Sequence, residues 1–95
     1  MNVKDLHNAS KALSTASIFK TVEGNVIAIQ ILAGEQLKEH ITKVPALLIS
    51  LAGEAIFENE QGVKLTLTAG DYVNIEPQIK HWINAESTSN LILIK

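Results

Sequence analysis

Three histidines, His7, His40 and His81, are the residues of this chain best equipped for chemistry. There is no cysteine, which removes disulfides, thiolate metal sites and cysteine nucleophiles together. The serines form no nucleophile elbow, and no glycine loop is spaced to cradle a phosphate. An imidazole can ligate a metal, but a catalytic zinc takes three protein ligands and a non-haem iron takes two histidines and a carboxylate. It can also hydrogen-bond the carboxylate, hydroxyl or carbonyl of an organic ligand. His7 lies in the N-terminal segment and reads as an exposed surface histidine. His40 and His81 lie on strand-like segments, so their chemistry depends on the elements that hold them.

Those elements are short strands. 17-SIFKTV-22 and 25-NVIAIQILA-33 flank a turn signal at 23-EGN-25, and 36-QLKEHIT-42 follows the turn at Gly34. Next come 44-VPALLISLA-52, then 54-EAIFEN-59 and 63-VKLTLT-68 around the hairpin loop 59-NEQG-62. The series closes with 71-DYVNI-75, 80-KHWINAE-86 and 90-NLILIK-95. About nine strands at this spacing predict an all-β sandwich or barrel over residues 17–95. Residues 1–16 differ. Val3, Leu6, Ser10 and Leu13 have loose helical spacing, and Asn2 or Asp5 could cap, so a short helix or an arm is expected there.

Bulk properties exclude several roles. Ninety-five residues with 46% hydrophobic and 19% charged side chains make one globular domain. The net charge is −2, and all eight basic residues are lysines scattered along the chain. No basic stripe forms and no arginine fork is available, so a nucleic-acid role is not expected. The longest apolar run, 44-VPALLI-49, is too short to span a bilayer, and the N-terminus lacks the apolar core of a signal peptide. A cytoplasmic protein without a membrane partner is expected.

Two glycine-bounded segments then stand out. Gly34 is followed by five residues and His40, with Thr42 two positions on, then Ala46 and Gly53. Gly70-Asp71 precedes His81 by the spacing of a second motif, with Glu76-Pro77-Gln78 and Ala85 at its other marked places. In these positions the chain resembles a small single-domain cupin of the RmlC-like, cupin-2 type. The resemblance covers Gly34 to Ala85, a little over half the chain. It implies an all-β double-stranded β-helix, or jelly-roll barrel, with a short N-terminal arm or helix. It also implies four metal-ligand positions, of which only His40 and His81 are kept. Thr42 and Ala46 stand where a histidine and a glutamate belong, and the proline of the second motif comes one place late.

Period-2 alternation places an interior around that pair. With His40 inward, Lys38 and Thr42 share its face, as do Ala46, Leu48 and Ser50 on the next strand, and Ile83 and Ala85 beside His81. A ligand pocket of His40, Thr42, Ala46, Leu48, Ser50, His81 and Ile83 is therefore expected, mostly aliphatic with few polar groups. Trp82, of opposite parity, should face outward; Tyr72 suits either the core or the pocket rim. No cofactor is required on this reading, although His40 and His81 could hold a divalent metal weakly. The expected function is binding of an unidentified small organic molecule. Two alternatives stay open: a metal-dependent oxygenase, isomerase or decarboxylase using both histidines, and a structural module dimerising through edge strands and 91-LILI-94. A homodimer is the expected assembly.

Overall fold

The computed structural model describes residues 1–8 and 10–95. Ala9, inside the expected arm, lies outside the described residues. Nine strands follow one 3-10 turn at Val3–Leu6, whose first turn is capped by the Asn2 side chain accepting from the Lys4 amide. The strands are β1 (Leu13–Lys20), β2 (Asn25–Ile31), β3 (Gln36–His40), β4 (Ala46–Ala52), β5 (Ala55–Asn59), β6 (Lys64–Leu67), β7 (Tyr72–Ile75), β8 (His81–Ala85) and β9 (Ser89–Ile94). β1 begins at Leu13 rather than Ser17, because Leu13 pairs with Ile31 and its side chain packs on the core. Among the described residues no helix is long and apolar enough to cross a membrane.

All pairings are antiparallel. One sheet has the order β1-β2-β9-β4-β7 and the other β3-β8-β5-β6. The sheets face each other, and alternate residues supply the core: Ile29 and Ile31, Leu48, Phe57, Val73 and Ile75, Ile83, Leu91 and Leu93. Each fully buried Leu, Ile or Phe contributes about 1.5–3 kcal/mol over an exposed one.

The two ends of the barrel differ. At one end, four chain crossings between the sheets are tied together. Glu86 and Ser87 amides donate to the Glu54 carbonyl, Gly34 donates to Ala85, Ala85 donates to Glu35, and Gly70 donates to Ser50. Gly53 sits among them with φ 85°, where a Cβ would collide with the Thr88 carbonyl oxygen and lie 2.8 Å from Ser89 Cα. Gly34 has φ 79° but open space around it. At the other end the crossings 41–45 and 76–80 meet through one backbone bond, Gln78 N–H to Thr42 O at 2.8 Å. Gln78, in the 76–80 crossing, adopts φ 66°, at a cost of about 1–2 kcal/mol for a side-chain-bearing residue.

Candidate functional site

β3 and β8 bring the two histidines together at this second end. His40 pairs directly with His81, their ring centroids are 4.1 Å apart and the rings are tilted by 59°. A bulge makes this possible. Leu37 is opposite Ile83 and His40 is opposite His81, so β3 carries one extra residue between the two pairs. The extra residue resets the alternation. Leu37 packs inward, while Lys38 is exposed rather than sharing the face of His40.

Both imidazoles are tethered alike. His40 Nδ1–H donates to the Lys38 carbonyl at 3.0 Å, and His81 Nδ1–H to the Ile79 carbonyl at 3.2 Å. A carbonyl only accepts, so the proton of each neutral ring is fixed on Nδ1 and the lone pair lies on Nε2. His81 is buried and stacks on Phe57 at 5.7 Å, while His40 is half-buried. Burial is the main cause holding His81 below the usual imidazole value. The bond to Ile79 opposes it, and the His40 charge adds a push in the same direction as burial.

The other expected pocket residues are placed as follows. Ala46, Leu48 and Ile83 belong to the packed core. Thr42 and Ser50 are buried, 4% and 0% exposed, and their hydroxyls have no hydrogen-bond partner among the described residues. At this level the aliphatic side chains of both sheets fill the barrel. The cavity lies further toward the mouth and has a volume of about 110 Å³. Of the expected residues only His81 lines it. Its wall includes Phe57, Val73, Ile75 and Ile79, with Asn59, Gln61 and Glu76 as polar neighbours. In the sequence these last residues read as hairpin and turn. Two polar loops flanking the start of the His81 strand were the available signal, but spacing alone does not show them folding over the mouth.

The donor set does not fit a tight metal site. Among the described residues no group of three or more His, Cys, Asp or Glu is placed to hold an ion. Thr42 and Ala46, at the other two motif positions, add neither an imidazole nor a carboxylate.

The remaining singled-out residues lie elsewhere. His7 is half-buried rather than exposed. The early start of β1 brings Ser14 alongside, with Nδ1 2.9 Å from Ser14 Oγ, and burial lowers the pKa of His7. Trp82 faces outward and donates from Nε1 to Glu58 Oε2 at 2.6 Å, and Tyr72 is exposed on the outer side of β7.

No protein-family model matches the chain, and no curated protein does. Solved structures match closely in shape. A cupin superfamily protein from Desulfitobacterium hafniense superposes with a TM-score of 0.87 at 15% identity, covering 98% of this chain and 84% of its own. An RmlC-like cupin from Shewanella frigidimarina gives 0.82 at 21% identity, over 92% of this chain and 78% of that one. A conserved protein of unknown function from Streptococcus pyogenes gives 0.84 at 12% identity, over 99% and 82%. The fold is therefore that of a small cupin barrel.

Proposed function

We propose that this cupin-fold protein binds a small organic molecule at the barrel mouth, against His81, without a tightly held metal. The observation that carries this reading is His81 itself. It lines the cavity with its Nδ1 proton committed to Ile79 and no partner for Nε2 among the described residues. A neutral imidazole so arranged accepts a hydrogen bond from a hydroxyl or a protonated acid, while Phe57, Val73 and Ile75 cover the apolar part of the guest. At about 110 Å³ the cavity is smaller than the roughly 150 Å³ that admits benzene, so the guest is compact.

Nuclear magnetic resonance of the His81 ring tests this with glycolate, lactate and glycerol as probes. At least one should shift the ring signals at millimolar concentration and lose binding about tenfold in His81→Gln. No shift from any of them overturns the reading. Metal content of untagged protein decides the metal alternative. Stoichiometric iron, manganese, nickel or zinc, lost in a His40→Ala, His81→Ala double variant, would replace the metal-free reading with that of a metal-dependent enzyme.

A second copy of the chain is the partner we propose, on a separate observation. The outer face of the five-stranded sheet is apolar across its middle. Tyr72, Ile49, Ile92, Ala28 and Ala16 form one cross-strand row, with Tyr72 exposed, Ile49, Ile92 and Ala16 half-buried and Ala28 fully buried; Leu47, Ile94 and Val26 belong to the next, which starts at Asn74. An antiparallel sheet that faced water on this side would alternate with polar residues instead.

A further inference from the structure

The mouth of the barrel holds a second recess, on the other side of the Thr42–Gln78 contact from His81. It has a volume of about 470 Å³ and lies between the β1–β2 turn, the 41–45 crossing and the end of β9. That volume falls within the ordinary range for small-ligand sites, about 300–1,000 Å³. Its lining has two characters. Val22, Ile41 and Val44 are apolar and exposed, at 104%, 44% and 50% of their free surface. Around them stand Lys20, Lys43 and Lys95, with Glu23 as the one acidic side chain. Three of the chain's eight lysines thus meet one of its ten acids, in a protein whose net charge is −2.

Thr42 also lines the space and is 4% exposed. Apolar surface and excess positive charge select one chemical class. We infer that this recess binds an amphiphilic organic anion, a carboxylate on an apolar body, whose head group meets the lysines and whose body covers Val22, Ile41 and Val44. The site is separate from the His81 cavity, and the two lining sets share no residue.

Octanoate is the test ligand, with n-octanol and inorganic phosphate as the apolar-only and charge-only controls. Titration followed by amide resonances of the full chain should show octanoate shifting residues 20–25 and 41–44, with Asn59, Ile79 and His81 unmoved. Octanol and phosphate should each bind about tenfold more weakly or worse. The exposed Lys20→Gln, Lys43→Gln double variant should fold normally and lose about tenfold in octanoate affinity, from two surface charge contacts. The inference is overturned if octanoate causes no shifts at millimolar concentration, if its shifts centre on His81, if octanol or phosphate binds as well, or if the lysine variant binds unchanged. Failure at this recess leaves the His81 ring signals with glycolate, lactate and glycerol unaffected, so the two readings fail separately.

Discussion

The fold opposes protonation of His81, chiefly through burial, and the sign can be worked through. Its folded pKa lies below the unfolded value of 6.5, chiefly through burial. Between those two values the unfolded chain holds a proton that the folded chain does not, so acid favours unfolding. The stabilisation is complete above about 6.5 and is lost as pH falls through that value to the folded pKa. His7 is lowered by burial and acts in the same direction. The melting temperature should therefore drop as the pH is lowered through this window. His81→Gln should flatten part of that slope and His7→Gln another part; a slope unchanged in His81→Gln would contradict the assignment. Parity was enough to bring His40, Thr42, Ala46, Leu48, Ser50, His81 and Ile83 toward the interior. It could not show that Leu48 and Ile83 close the space between them, because that depends on how nearly the two sheets approach.

At the scale of elements, two motif glycines that look equivalent in the sequence have different physical duties. Gly34 has only its left-handed backbone to defend, so Gly34→Ala should cost about 1–2 kcal/mol. Gly53 has the same backbone and also touches the Thr88 carbonyl and Ser89. Gly53→Ala should cost well beyond that figure and move the 52–55 and 86–89 crossings apart; chemical denaturation of the two variants side by side checks the order. Strand count and turns were legible because alternation and turn residues are local signals. The β3 bulge was not: a period-2 pattern continues smoothly past Leu37, and only pairing to β8 reveals that Lys38 has turned outward. Gln78 shows the reverse case, a left-handed turn residue that is not glycine.

For the whole molecule, the apolar outer face of the five-stranded sheet sets the expectation for assembly. Light scattering should give the mass of a dimer at about 100 µM if this face supplies the roughly 800 Å² from each partner that a stable interface needs. Ile92→Glu, in the centre of the row between Ile49 and Ala28, should yield a folded monomer; a wild-type monomer at that concentration would contradict the proposal. The unequal ends of the barrel have a further consequence for the order in which it opens. One end is stitched by the bonds among Gly34, Glu54, Ala85 and Glu86, whereas among the described residues the two mouth crossings share the Gln78–Thr42 bond, with Glu60 N–H to Lys80 O holding the 76–80 crossing to the β5–β6 loop. Amide protons of Ala85 and Glu86 should therefore outlast that of Gln78 in deuterium by orders of magnitude. The barrel should breathe from the mouth, where its ligands would enter, and hold its seam until it unfolds as a whole.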